Sequence, residues 1–126
     1  MDNKEFRLIK SRGPVVNLNR TNKARMIEAF LEDYLSEKIQ GKKILDIGCG
    51  NGQIGQYFLK NDNQVSAVDV KDQRLSPSEL VDFNIVDTEM LPYRNETFDN
   101  IISHHVIEQV QNQRLHVDEM IRVLKR

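Results

Sequence analysis

Apolar residues recur along the chain with two different periods. Met26, Ile27, Phe30, Leu31, Tyr34 and Leu35 follow helical spacing and make one apolar stripe. The pattern predicts a helix starting at Thr21 or Asn22, either of which can cap it, and ended by Gly41. Such a helix is expected to pack on a sheet. Residues 43–47, Lys-Ile-Leu-Asp-Ile, read as a buried strand followed at once by Gly48. Residues 53–60 read as a short helix with Ile54, Tyr57 and Phe58 inward. Residues 64–70 alternate as a second strand, with Val65, Ala67 and Val68 apolar. Residues 82–86 and 98–103 are the third and fourth strands. The stretch 71–81, interrupted by Pro77, leaves room for little more than one helical turn, and 87–97 is loop-like around Pro92 and Asn95. Leu115, Val117, Met120, Ile121 and Leu124 predict a closing amphipathic helix.

Strands alternating with helices or long connections imply an α/β domain with a parallel sheet, because parallel neighbours need crossovers. Right-handed crossovers put strand two beside strand one and strand three outside it, with strand four on the other side of strand one. The predicted order is 3-2-1-4. Its topological switch point lies at the carboxyl end of strand one, where such sheets bind ligands.

Composition narrows this little. The chain has 126 residues, 39% hydrophobic and 29% charged, with a formal net charge of -1, which is one domain's worth of ordinary globular sequence. No apolar run approaches the ~20 residues that cross a bilayer. Residues 1–20 carry no apolar core of a secretory signal. The single cysteine, Cys49, excludes an internal disulfide and a cysteine-built metal site, and a reducing cytoplasmic setting is expected. Residues 1–20 read as a basic arm, with Lys4, Arg7, Lys10, Arg12 and Arg20 against Asp2 and Glu5, and 21–126 as the domain. The near-zero net charge speaks against electrostatic capture of nucleic acid.

The chemistry concentrates in Ile44-Leu-Asp-Ile-Gly-Cys-Gly-Asn-Gly52. Glycines 48, 50 and 52 between a strand and a helix allow a tight turn and close approach of a ligand to the backbone. Gly50, Gly52 and Gly55 satisfy the literal dinucleotide pattern, and Asp69 lies near the distance of a ribose-binding acid. A nicotinamide-binding half-domain therefore survives the motif alone. Counted from Gly48, the first glycine after the strand, that spacing fails at Gln53, and Asp46 places a carboxylate under the turn.

Together with Asp69, with Asp87-Thr-Glu-Met-Leu-Pro92, with Thr97-Phe-Asp-Asn-Ile-Ile-Ser-His-His-Val-Ile-Glu-Gln-Val110 and with Glu119-Met-Ile-Arg-Val-Leu-Lys125, this stretch resembles the class I S-adenosylmethionine-dependent methyltransferases of the small-molecule type. The resemblance covers about residues 42–125 and implies a Rossmann-like doubly wound sheet, here of about four strands with a preceding helix. It also implies roles. Asp46, Gly48, Cys49, Gly50 and Gly52 would line the methionine moiety of S-adenosylmethionine. Asp69 would accept from the ribose hydroxyls, which suits a carboxylate, and Val70 would pack on adenine. Asp87 would meet the adenine amino group, the Thr88 backbone a ring nitrogen, and Ser103 would border the methyl donor with His104 and His105 as candidate bases. No metal site is expected.

Family members continue past Arg-Val-Leu-Lys into further strands, whereas this sequence stops at Lys125-Arg126. The expectation is a truncated domain whose fourth strand is an open edge, completed by a second copy or a partner chain. The acceptor is an unidentified small molecule, and a non-catalytic module binding S-adenosylmethionine or S-adenosylhomocysteine is the alternative from another class.

Overall fold

The computed structural model describes residues 20–103 and 110–126. The chain divides into two compact units, Met1–Glu37 and Lys38–Arg126. In the first, helix α1 spans Arg20–Leu35. It already includes Thr21 and Asn22, so neither caps it, and Asn22 Oδ1 instead accepts from the Arg25 guanidinium at 3.4 Å. Ser36 stops the helix by adopting φ 55, five residues before Gly41. Phe30 and Tyr34 on the apolar stripe are exposed and stack on each other with ring centroids 6.3 Å apart.

The second unit runs β1 (Lys43–Ile47), α2 (Gln53–Tyr57), β2 (Gln64–Asp69), β3 (Asp82–Ile85), β4 (Asn100–Ser103) and α3 (Gln113–Val123). The four strands form one sheet in the order β3-β2-β1-β4, as the crossover argument requires. All neighbours are parallel: Ile47 stands opposite Val68 on one side and Ser103 on the other, and Asp69 stands opposite Ile85. The carboxyl ends of β1, β2, β3 and β4 therefore lie level along one edge of the sheet.

Alternation along β1 sorts its side chains. Leu45 and Ile47 join Val68, Leu91, Phe98 and Val123 in one core cluster, against which Met120 of α3 also packs. Ile44, Val65 and Ala67 are buried as well, as are Ile54 and Phe58 around α2. Gly55 makes that helix-to-sheet approach possible: a Cβ there would stand 3.3 Å from Asp46 Oδ2 and 3.4 Å from Val65.

Several elements are shorter than the pattern predicts, each for a local reason. α2 stops at Tyr57 because the amide of Phe58 tightens onto Gly55 O at 3.1 Å and Asn61 and Asp62 take left-handed φ of 52 and 61. β4 starts at Asn100 because Phe98 pairs instead with Leu124. Residues 71–81 hold no helix and a single turn, in which the Val81 amide donates to Ser78 O at 3.3 Å. Asp72 accepts from the backbone amide of Arg74 at 3.1 Å and takes its guanidinium at 2.9 and 3.0 Å, and the amide of Leu75 donates to Asn51 O. α3 departs most. Its buried face is His116, Glu119 and Val123, while Ile121, expected inward, is 66% exposed.

Candidate functional site

The carboxyl edge carries the glycine turn. Gly48, Gly50 and Gly52 adopt φ of 70, 54 and 83, the left-handed region that a side chain resists. The turn is tied to β2 from below and from the side. The amides of Gly48 and Cys49 donate to Val68 O at 2.8 and 3.2 Å. Asp69 Oδ2 accepts from the Gly50 amide at 2.9 Å, and Oδ1 accepts from the Val70 amide at 2.7 Å. A carboxylate oxygen has two lone pairs, so both oxygens can still accept from a ligand.

Beside this turn lies a cleft of about 450 Å³. Gly48, Asp69, Val70, Asp87 and Thr88 all line it, so five of the expected site residues converge in one place. Val70 and Asp87 are exposed there, and Val86 and Leu91 add apolar wall. Asp46, Cys49 and Gly52 line a second, narrow recess together with Arg74. Asp46 is buried within it, and the Arg74 side chain would sit 3.3 Å from a Cβ at Gly52. Burial, reinforced by the charges of Asp46 and Asp69, pushes the Cys49 thiol up to about 12. Cys49 is thus a protonated, packed side chain without nucleophilic character at neutral pH. His104 and His105 lie outside the described residues.

Two cleft residues escaped the sequence reading. Glu89 Oε1 accepts from the amides of Gln111 and Asn112 at 3.0 and 3.1 Å, pinning residues 110–112 to the segment after β3. Those hydrogen bonds hold the Glu89 carboxyl below its ordinary range. His116 is 3% exposed in the cleft wall, and its Nε2 lies 3.2 Å from Ser103 Oγ at the end of β4. Burial lowers its pKa, with the Glu89 charge opposing, so the imidazole is neutral at physiological pH. Ser103 is not part of the cleft lining; it touches His116, which is. The segment carrying Asp87 to Glu89 runs on into a clasp. Arg122 holds Glu119 at 2.6 and 3.0 Å, Leu91 O at 2.9 Å and Tyr93 O at 2.7 Å, and Glu119 accepts from the Leu91 amide at 2.8 Å.

The donor set suits a nucleoside ligand. Two carboxylates can accept from a vicinal diol and from an exocyclic amine, and Val70, Val86 and Leu91 offer apolar surface to a flat ring. Among the described residues no group of three or more His, Cys, Asp or Glu side chains could hold a metal, and no helix is long and apolar enough to cross a membrane.

A parallel 3-2-1-4 sheet with a glycine turn on strand one and an acid ending strand two defines a doubly wound nucleotide-ligand fold. The methyltransferase domain family matches residues 45–126. The chain belongs to that family, the S-adenosylmethionine-dependent methyltransferases. It is 32% identical over 118 residues to norajmaline N-methyltransferase of Rauvolfia serpentina, covering 79% of this chain and 39% of that protein. It is 26% identical over 117 residues to the ubiquinone biosynthesis O-methyltransferase of Idiomarina loihiensis, covering 86% and 47%. A SAM dependent methyltransferase from Aquifex aeolicus superposes with a TM-score of 0.60 at 18% identity, over 83% of this chain and 67% of that one. The chain thus spans less than half the length of the two curated relatives.

Proposed function

We propose that the cleft at the carboxyl edge binds S-adenosylmethionine and that the chain is the cofactor-binding part of a methyltransferase acting on a small organic acceptor. The observation that carries this is the convergence of Asp69, already fastened to the glycine turn through Gly50, with Asp87 and Thr88 in one cleft. In this reading Asp69 takes the ribose hydroxyls on its remaining lone pairs, Asp87 takes the adenine amino group, and Val70 covers the ring. Asp46, with Cys49 and Gly52, supports the turn from the recess beneath it. Bound S-adenosylmethionine supplies a methyl group already activated on a sulfonium. What the protein adds is chiefly alignment of an acceptor, with a base where the acceptor must lose a proton. His104 and His105, which follow Ser103, are the candidate bases. The names of the two relatives, one an N-methyltransferase and one an O-methyltransferase, favour a small organic acceptor. β4 is bonded to β1 on one side, and its other edge is where a further strand, of this protein or of a second copy, would add.

Calorimetric titration with S-adenosylhomocysteine, with NAD in parallel, tests the reading. Saturable binding of the first alone is expected, and Asp87→Ala should weaken it about tenfold, the loss of one good hydrogen bond to a charged group. Binding of NAD with equal or better affinity, or no binding of either, would overturn it.

A further inference from the structure

His116 is the one imidazole among the described residues, and nothing in the binding roles above uses it. It sits in the cleft wall, 3% exposed, with Nε2 on Ser103 Oγ. A space of this volume is roughly 10 Å across, about one Debye length at 0.1 M salt, so a charge anywhere on a bound ligand is only partly screened from the imidazole. S-adenosylmethionine and S-adenosylhomocysteine share every group except the methyl and the positive charge that comes with it.

We infer that His116 makes the cleft discriminate by charge: a protonated imidazole weakens the sulfonium donor relative to the thioether product, because the charges of the amino-acid tail are common to both, so their affinities separate as pH falls. The inference rests on the cleft being the S-adenosylmethionine site. Among the described residues, the charged groups around the imidazole are Glu89 from the segment after β3, and Asp69 and Asp87 elsewhere in the cleft lining. On α3 itself, Glu119 lies one turn on and is held by Arg122. Glu89 is the carboxylate that bears on His116, and its Oε1 serves two backbone amides. Burial outweighs it, so the neutral imidazole persists above the lowered pKa and the cation forms only below it. At physiological pH the donor meets a neutral wall. Acidification adds a positive charge to the wall, and the sulfonium is the one opposing ligand charge that the product lacks.

The test is the ratio of the two dissociation constants, donor over product, by calorimetry between pH 7.5 and 5.0. The ratio should rise about three- to tenfold in the native chain, the size expected for two charges in a partly screened cleft. It should rise markedly less in His116→Gln, whose amide can still bond Ser103 and does not titrate, any remainder belonging to His104 and His105. A flat ratio in the native chain, or an equal rise in His116→Gln, overturns the inference while leaving the site intact. Failure of both ligands to bind at pH 7.5 overturns the site and the inference together. A measurement on the unmutated chain guards against an unfolded variant. By linkage, the donor must lower the midpoint of the His116 imidazole signal in histidine-labelled NMR further than the product does. Equal midpoints with the two ligands would again refute charge discrimination.

Discussion

Removing the Arg122 guanidinium should cost more stability than any exposed charge substitution in this chain. Its five hydrogen bonds run to Glu119, to Leu91 O and Tyr93 O, and to Asn95 Oδ1 at 3.0 Å. Arg122→Met keeps most of the aliphatic stem and strands a buried carboxylate at Glu119, 7% exposed, with two loop carbonyls. Breaking one half of a buried pair costs ~3–5 kcal/mol. The Arg122 side chain is 31% exposed, so water reaches part of the gap, and about 2–3 kcal/mol is expected here. For a domain of this size that is roughly a 10 °C fall in Tm. Urea and thermal unfolding followed by circular dichroism measure it directly. Adding Glu119→Gln to Arg122→Met should restore at least ~1 kcal/mol relative to additivity, because the stranded charge is then gone. The pH dependence has a fixed sign. Arg122 holds the Glu119 carboxyl below its ordinary value of 4.5, so the pair's stabilisation is present above that value and is lost as pH falls through the lowered one. Acid unfolding of Arg122→Met should therefore lack that component. A cost below ~0.5 kcal/mol, or strict additivity of the two substitutions, would refute the clasp as a stabilising unit.

Gly52→Ala places a Cβ at φ 83 and 3.3 Å from the Arg74 side chain, and should cost ~1–2 kcal/mol by urea titration; a neutral outcome would mean the turn relaxes freely. Gly41→Ala, at φ 64 with open space around it, is the control that carries the backbone cost without the contact. Cys49, the sole cysteine, should react with a thiol reagent at pH 8 orders of magnitude more slowly in the folded chain than in urea, since at a pKa of about 12 only about one thiol in ten thousand is ionised. Fast labelling of the folded protein would contradict its burial.

The sheet order and the glycine turn were legible because each is written locally. β1 carries its own burial pattern, three glycines stand at its end, and right-handed crossovers leave one arrangement of four strands. The inward face of α3 was read only in part, for an equally physical reason. Counting apolar residues selects Leu115, Val117, Met120, Ile121 and Leu124, and Met120 does pack on the core, but the buried face also carries His116 and Glu119, whose polar atoms are satisfied by Ser103, Leu91 and Arg122. A buried polar residue is signalled by its partner, and those partners sit 13 and 28 residues away for Ser103 and Leu91. One local trace existed: Glu119 and Arg122, three apart, share a helix face and can pair before the fold is known. The loop after β3, with Pro92 and little secondary structure, needed partners for its backbone groups, and that pair supplies them.

The two strongest signals of the chain, the glycines after β1 and the acid ending β2, looked independent along the sequence and are mechanically joined in the fold. Asp69 fastens the turn through Gly50 with one oxygen and orders the start of the next segment through Val70 with the other. In the proposed site, the same carboxylate holds the ribose. Its orientation is then fixed by two backbone amides before any ligand arrives, which removes part of the ordering cost of binding. The turn, in turn, is held in the left-handed conformation that gives a ligand access to its backbone. A substitution at Asp69 consequently disturbs the cradle and the contact at once, whereas Asp87, whose carboxylate is exposed in the cleft, reports on the contact alone. That asymmetry makes Asp87 the cleaner probe of the site even though Asp69 is its structural hinge.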